Sequence, residues 1–346
     1  MKDINFIISE FGIKSGYIKY KKLGEGHIND TYKIYSSEGV FILQKINTDV
    51  FKEPEKVMQN IDFTLSHIKK EMLLNGENPD GRFPDYIKSG INNYLKYNGF
   101  WRIYKYLENT ITVNKFQNTD IIQQFGKLLG SFHKYTESAD ITRLNITIPG
   151  FHNISENISR LFSFNKNAYD YNFFKKIYDY YISNRYILGT KQLVHNDVKC
   201  SNILINTKSN MPCAIIDFDT IMPGYAAFDF GDAARSSCTD DNKINITKLK
   251  AFSKGYFSAG CSLSAKACSL GLLSITAELA SRYLYDSITG CNYFKNINAS
   301  EKLNKFYRLS ALAENIYLNI SEIEKAIIDS CLLYTSPSPR DKRQSR

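Results

Sequence analysis

The chain has 346 residues, of which 43% are hydrophobic and 23% are charged, so its composition is that of a globular protein and excludes wholesale disorder. Its formal net charge is +9, but Lys and Arg form no block of the kind that nucleic-acid-binding proteins carry. We therefore predict a small-molecule substrate and no nucleic-acid partner. The apolar runs fall short of the roughly 18 residues that a membrane span needs, so no membrane association is predicted.

The length predicts two domains or one large two-lobed domain. The N-terminus is interrupted by acidic and polar residues where a signal peptide would be apolar. The seven cysteines are scattered and form no CxxC pair, which fits a reducing compartment. These features predict a cytoplasmic protein, and they leave its oligomeric state open.

Residues 1–107 are predicted to form a small lobe rich in strands, the N-lobe. Strand-like runs between residues 19 and 47 are broken by two turn signals, Gly24-Glu25-Gly26 and Ser37-Glu38-Gly39. A helix is predicted from about Pro54, because apolar residues then recur at helical spacing. Strand-like alternation returns before Tyr106.

Residues 108–330 are predicted to form a larger, mainly helical lobe, the C-lobe. A helical pattern begins at Asp120 with Thr119 as its cap, and helical segments continue to about Ser330. One strand pair between residues 192 and 219 interrupts them. The predicted fold class is therefore α+β, with an antiparallel-sheet N-lobe joined to the helical C-lobe near residues 106–109.

Residues 331–346 stand apart from both lobes. The string CLLYTSPSPRD at 331–341 corresponds to the translation of a transposase adapter used in sequencing libraries. We therefore expect this segment to be an assembly artefact without order, and removing it should leave activity and melting temperature unchanged. It carries four basic residues against one acidic residue, so excluding it lowers the formal charge from +9 to +6.

Two short apolar runs in the C-lobe, NILI at 202–205 and CAIID at 213–217, predict a β-hairpin. The start of one strand and the end of its antiparallel partner lie side by side, so Asn202 and Asp217 should meet at one edge, with Asp197 on the loop that enters it. Two carboxylates and an amide oxygen suit a magnesium ion whose remaining ligands are phosphate and water.

The motif His195-x-Asp197-x-Lys199-x-x-Asn202, followed by Asp217, resembles the catalytic loop and metal-binding aspartate of protein-kinase-like phosphotransferases. This resemblance implies that Asp197 is the catalytic base, that Lys199 neutralises charge, and that Asn202 and Asp217 hold Mg²⁺ on ATP. Asp219 stands where protein kinases have the glycine of their DFG triplet. Asp-x-Asp is usual instead in the aminoglycoside-phosphotransferase branch.

The segment from Gly24 to Asn29 lies between strands, where the same resemblance implies a phosphate-covering loop. Gly24 and Gly26 suit this role, because glycine lets backbone N–H groups approach oxygen atoms closely. Asn29 stands where a third glycine would complete the motif, and Thr31 begins the next strand as a further candidate nucleotide contact. A Walker P-loop is excluded because GxxxxGK[ST] is absent. A plain turn between strands would have the same sequence.

The strand FILQKIN should carry the basic residue that pairs with the phosphates. Lys45 is favoured, since it lies on the same face as Phe41 and Leu43, but relatives often place the basic residue where this chain has Gln44. Glu55 on the following helix is either the partner of this lysine or a solvated surface residue.

A closer resemblance extends over nearly all of residues 15–330. GEGHINDTYKI, FILQKINTDVFKEPEKVMQNI, HNDVKCSNIL, IDFDTIMPGYAAFDFGDAAR and ELASRYLYDSITGCNYFK together resemble the bacterial N-acetylhexosamine 1-kinases. That resemblance implies transfer of phosphate from ATP to the anomeric hydroxyl of N-acetylglucosamine or N-acetylgalactosamine. The implied sugar contacts are His27, Asp197, Arg282 and Tyr293, and the implied adenine hinge is Tyr106, Leu107 and Glu108.

Several alternatives stay open at this point. An aminoglycoside, homoserine or choline kinase would share every catalytic residue and differ in the acceptor pocket, whereas a catalytically dead module usually loses the base or a metal ligand. Arg282 lies four residues after Glu278, so an ordinary helix ion pair is as good an interpretation as a sugar contact. His195 is predicted to hold the loop by hydrogen bonds to the backbone, and Arg235 to brace the site through Asp229 or Asp232.

Overall fold

The computed structural model describes residues 2–14, 18–23, 28–163, 171–291, 294 and 297–332. Four predicted site residues, Gly24, Gly26, His27 and Tyr293, lie outside the described residues, as does most of the segment assigned to an adapter. None of the helices within the described ranges is both long and apolar enough to cross a bilayer.

The N-lobe is built on a five-stranded antiparallel sheet in the order β1-β2-β3-β5-β4. Its elements are α1 (Lys2–Glu10), β1 (Lys19–Lys22), β2 (Asp30–Ser36), β3 (Gly39–Ile46), α2 (Pro54–Leu74), β4 (Leu95–Lys96) and β5 (Phe100–Lys105). The helix begins at Pro54, as predicted, because proline fits the first turn, where no intrahelical N–H bond is needed.

The two faces of this sheet pack against different parts of the chain. One face packs with α1 in a core that includes Ile8, Phe41, Leu43 and Trp101. The other face contacts α2, whose buried side chains continue into the core of the C-lobe. The sheet therefore has an outer face under α1 and an inner face toward the C-lobe.

The C-lobe is mainly helical, and its described residues also form three small sheets, two of which carry the loops of interest. Its elements are β6 (Thr110–Thr112), α3 (Thr119–Thr136), α4 (Ile154–Ser159), α5 (Tyr171–Asn184), β7 (Gln192–Val194), β8 (Ile203–Asn206), β9 (Met211–Ile215), β10 (Met222–Gly224), α6 (Ala226–Ser237), β11 (Thr239–Asp240), β12 (Lys243–Ile244), α7 (Ile246–Ser258), α8 (Ala265–Thr289), α9 (Ala299–Leu318) and α10 (Ile320–Leu332). The predicted α+β class is confirmed. The lobe boundary predicted after residue 107 falls between β5 and β6 and remains a prediction.

Two details at helix ends differ from the sequence prediction. The cap of α3 is Asn118, whose side chain accepts a hydrogen bond from the Asp120 N–H, and Thr119 is the first helical residue. Asparagine is the stronger N-cap because its carbonyl oxygen reaches a free backbone N–H of the first turn. Helix α10 continues through Leu332, two residues into the segment assigned to an adapter.

The crossing of α3 and α7 is close enough to require glycine. A Cβ atom at Gly255 would lie 1.8 Å from the Gln123 carbonyl oxygen, and one at Gly126 would lie 2.1 Å from the Phe252 carbonyl oxygen. We expect Gly255→Ala to lower the free energy of unfolding by about 1–3 kcal/mol, because the two backbones must separate. Urea denaturation measures this, with Lys254→Ala as the matched control. Equal stability of the two variants would contradict the close crossing.

Candidate active site

The predicted hairpin is present and brings its two polar ends together. Strands β8 and β9 pair antiparallel with Ile203 opposite Ile215, and the Ile216 N–H donates to the Asn202 carbonyl oxygen at 2.9 Å. Asn202 and Asp217 therefore lie at the same edge, as predicted. Asp217 has a left-handed backbone, with φ of 69°, which turns the chain directly after the strand.

Asp197 lies at the centre of the loop between β7 and β8. Lys199 Nζ lies 2.8 Å from Asp197 Oδ2, and Asn202 Nδ2 donates to the same oxygen at 3.0 Å and to the Asp197 carbonyl oxygen at 2.8 Å. Burial alone would raise the pKa of Asp197, but the adjacent Lys199 outweighs it, and the pKa lies below its usual value. The residues predicted as base, cation and metal ligand thus meet around one ionised carboxylate.

His195 holds this loop and is fully buried. Its Nε2 donates to the Ile216 carbonyl oxygen at 3.0 Å, and its Nδ1 accepts from the Asp197 N–H at 3.3 Å. Burial lowers the pKa of His195, which keeps the ring neutral and suits one donor and one acceptor nitrogen. The prediction that His195 is structural is confirmed.

Asp229 on α6 holds the same loop through two backbone N–H groups, a role that was not predicted from the sequence. Its two carboxylate oxygens accept from the N–H groups of His195 and Asn196, both at 2.7 Å, and His133 Nε2 lies 3.1 Å from one of them. The motif FDFGD could have indicated this role, because an aspartate between two phenylalanines is expected to be buried, and a buried aspartate needs hydrogen-bond partners. Of the two predicted partners of Arg235, the ion pair is made with Asp232, whose Oδ1 lies 2.6 Å from Arg235 NH2.

The carboxylates of Asp197 and Asp219 lie close enough to Asp217 to affect its ionisation. Burial raises the pKa of Asp217 to about 7, and the nearby charges of Asp219 and Asp197 add to this effect. Such an excess of buried negative charge fits a cation. No three His, Cys, Asp or Glu side chains within the described ranges form a metal-binding group by themselves. The donor set therefore fits Mg²⁺ held by Asp217 and the Asn202 amide oxygen, with phosphate oxygens and water completing its shell.

Lys45 does not face this site. It pairs in register with Trp101, and its Nζ lies 5.5 Å from the centre of that ring, on the outer face of the sheet under α1. This placement corrects the prediction that Lys45 faces the phosphates: the residue shares the face of Phe41 and Leu43, but that face is the covered one. Glu55 forms an ion pair with Lys96, so it is a surface residue, not the partner of Lys45.

The predicted hinge residues follow β5 at the exit from the sheet. The Tyr106 N–H donates to the Val40 carbonyl oxygen at 2.9 Å, and its hydroxyl donates to the Thr110 carbonyl oxygen at 3.2 Å. The Leu107 carbonyl oxygen accepts from the Thr110 hydroxyl. These bonds hold the connection between the sheet and β6 in a fixed turn, and its contact with a nucleotide stays a prediction.

A cavity of about 160 Å³ lies beside α8 and contains Arg282 among its lining residues. The guanidinium of Arg282 lies over the rings of Phe151 and Phe294, with 5.3 and 5.6 Å to their centres, and its NH1 is 3.6 Å from Glu278. The predicted helix ion pair therefore exists, and the same arginine also lines the cavity.

Glu278 connects this cavity to the catalytic loop. It accepts from Asn157 Nδ2 at 2.9 Å and lies 3.2 Å from His152 Nδ1, while His152 Nε2 lies 2.9 Å from the Asn196 carbonyl oxygen. Burial disfavours the protonated form of His152, but the negative charge of Glu278 and its hydrogen bond favour that form more strongly, so the pKa of His152 is raised. Burial likewise disfavours the ionised form of Glu278, but the positive charges of Arg282 and His152 favour that form more strongly, so the pKa of Glu278 is lowered.

Comparison with known proteins agrees with this geometry. Residues 19–260 match the family described as the phosphotransferase enzyme family, APH. Solved structures of similar fold include an aminoglycoside phosphotransferase from Alicyclobacillus acidocaldarius, with TM-score 0.62, 13% identity and coverage of 94% of this chain and 96% of that one. They also include the choline kinase LicA from Streptococcus pneumoniae, with TM-score 0.56, 15% identity and coverage of 90% of this chain and 98% of that one. A spectinomycin phosphotransferase in complex with ADP and spectinomycin matches with TM-score 0.53, 15% identity and coverage of 91% of this chain and 97% of that one. The family match extends over well more than half of the chain, and the protein therefore belongs to the phosphotransferase enzyme family.

Proposed function

We propose that the chain is an ATP-dependent kinase that phosphorylates the anomeric hydroxyl of an N-acetylhexosamine, N-acetylglucosamine or N-acetylgalactosamine, to give the sugar 1-phosphate. The observation that carries this proposal is the pairing of Glu278, the single acidic residue among the described residues that line the cavity, with Arg282 and His152. His152 in turn contacts the backbone of Asn196, which precedes the ionised Asp197 in the catalytic loop. Membership of the family supports phosphoryl transfer. The sequence resemblance described above supports the sugar acceptor.

Asp197 would accept the proton of the attacking hydroxyl. An anomeric hydroxyl is more acidic than an ordinary alcohol, so a carboxylate of lowered pKa is a sufficient base. Lys199 holds this carboxylate in one orientation and adds a positive charge near the transferred group. Positioning and charge neutralisation supply most of the rate enhancement in this class of reaction.

The nucleotide would lie between the two lobes. Gly24, Gly26, Asn29 and Thr31 would line its phosphates, and Tyr106 and Leu107 its base. The spectinomycin phosphotransferase of similar fold contains ADP, which supports ATP as the donor. Asn202 and Asp217 would hold Mg²⁺, which neutralises phosphate charge when it is bound.

The charge of the cavity favours a neutral acceptor over a cationic one. Glu278 is the single acidic residue among the described residues that line it, and it contacts both Arg282 and His152. An aminoglycoside or choline needs carboxylates or aromatic faces that remain available to a cation. Here the aromatic rings among the described lining residues, Phe151 and Tyr285, already lie under Arg282 and Arg160. A neutral sugar can use the same groups as hydrogen-bond partners, with Arg282, His27 and Tyr293 as the proposed contacts.

We expect N-acetylglucosamine or N-acetylgalactosamine to be the best acceptor in a panel that also holds an aminoglycoside, choline and homoserine. The panel is assayed with ATP and Mg²⁺ for ADP release, and phosphorus NMR locates the phosphate on the product. The expected signal is that of a phosphate on C1 of the sugar. Turnover of choline or an aminoglycoside above that of both sugars, or a phosphate on another hydroxyl, would reject the proposed acceptor while leaving the phosphotransferase activity intact.

A further inference from the structure

A row of three side chains crosses the inner face of the N-lobe sheet. Thr31 on β2, Gln44 on β3 and Arg102 on β5 are register partners, so their side chains lie on the same face. Gln44 Nε2 donates to Thr31 Oγ1 at 3.1 Å, and Arg102 Nε donates to Gln44 Oε1 at 2.9 Å. The position on β3 that faces the site is thus the neutral Gln44, and the cation of the row is Arg102.

Arg102 reaches across to the C-lobe. Its NH1 lies 2.5 Å from Asp219 Oδ1, and only 1% of the arginine is exposed. Asn29 Nδ2 donates to the other carboxylate oxygen of Asp219 at 2.6 Å, and the Asn47 N–H donates to Asn29 Oδ1 at 3.0 Å. One oxygen of Asp219 therefore accepts a hydrogen bond from Asn29, and the other forms an ion pair with Arg102.

Asp219 lies in the turn that begins at Asp217. Residues 218–220 form one turn of 3-10 helix directly after the left-handed Asp217, so a fixed Asp219 also fixes the direction of the Asp217 carboxylate. The guanidinium of Arg102 also places a positive charge in direct contact with this turn, which carries two carboxylates. The planar guanidinium contacts Gln44 through Nε and Asp219 through NH1 in one fixed fork geometry, which the compact ammonium group of a lysine does not reproduce.

We propose that Arg102 is the positioning residue of the metal-binding turn. It holds Asp219 against the N-lobe, and it is the buried cation on the inner face of the sheet, where Lys45 does not lie. This inference rests on the proposed function in one respect, that Asp217 is the ligand for Mg²⁺. It predicts that the affinity for magnesium and nucleotide depends on an arginine that acts through Asp219.

The test is a magnesium titration of ADP binding, followed by calorimetry, in which no turnover is needed. The principal variant is Arg102→Lys, which keeps the charge and loses the planar fork. We expect the Mg²⁺ concentration at half-saturation to rise about tenfold, the lower end of the effect of residues that orient metal ligands. Lys45→Gln is the matched control on the outer face, and its half-saturation should stay within about twofold of the parent protein.

A second variant separates positioning from folding. Arg102→Met with Asp219→Asn removes both buried charges together, which destabilises a protein less than removing one of them. We expect this double variant to melt closer to the parent protein than Arg102→Met alone, yet to keep the raised Mg²⁺ requirement. A normal Mg²⁺ requirement in a folded double variant would overturn the proposal.

Two further outcomes would overturn it in distinguishable ways. If the parent protein binds ADP without any dependence on Mg²⁺, the proposed function fails and the role of Arg102 fails with it. If the parent behaves as expected but Arg102→Lys has an unshifted titration, or Lys45→Gln shows the larger shift, the role of Arg102 alone is wrong.

Discussion

Asp197→Asn is expected to lower kcat by about 10³-fold, within the range that a positioned general base contributes, while ATP affinity changes little. The substitution keeps the size and shape of the side chain and removes the proton acceptor. Asn202 and Lys199, which contact the Asp197 carboxylate at 3.0 and 2.8 Å, remain in place. Turnover and ATP affinity are measured on the same preparation.

The matched control for this variant is Asp240→Asn. Asp240 is also paired with lysines, Lys115 and Lys248, but it lies at the strand pair between α6 and α7, not on the catalytic loop. We expect its kcat to stay within about twofold of the parent value. Near-normal turnover in Asp197→Asn would remove Asp197 from the role of base.

Asp217→Ala is expected to weaken Mg²⁺-dependent nucleotide binding by at least about 100-fold, because a direct ligand should matter more than the outer partners, whose loss costs 10–100-fold. Binding of nucleotide in the presence of a chelator should change little. Asn202→Ala should have the same effect more mildly, since an amide oxygen is a weaker ligand than a carboxylate. Calorimetric titrations with and without Mg²⁺ measure both.

The backbone at Asp217 calls for a second substitution. Its φ of 69° is uncommon for alanine but tolerated by asparagine, so Asp217→Asn removes the charge without the conformational cost. We expect the loss of Mg²⁺ dependence to appear in both variants. If only Asp217→Ala loses it, the cause is the backbone, and if neither does, the hairpin edge is not the metal site.

The local pattern of the sequence was sufficient to predict the hairpin and its polar edge. Alternation and turn residues define β8 and β9, and antiparallel pairing then places Asn202 beside Asp217 without further information. The start of α2 at Pro54 followed in the same way, because it depends on neighbours that are close in the chain.

The orientation of the N-lobe sheet could not be predicted in this way. A strand pattern of period two separates Lys45 from Gln44, but it does not say which face is covered by α1 and which faces the C-lobe. Tertiary packing decides this, because Ile8 and Phe11 of the N-terminal segment complete the core on the Lys45 side. The prediction favoured Lys45 because it shares the face of Phe41 and Leu43, and that face is the one that α1 covers.

What the sequence by itself determined was therefore the list of chemical groups and their local geometry: the carboxylate of Asp197, its loop, and the hairpin whose edge brings Asn202 and Asp217 together. Only the tertiary structure decided which distant residues support them. Asp219 with Arg102, and Asp229 with His133, pair residues that lie far apart in the chain. Buried charges must find partners wherever the fold brings donors close, and sequence spacing carries no record of that proximity.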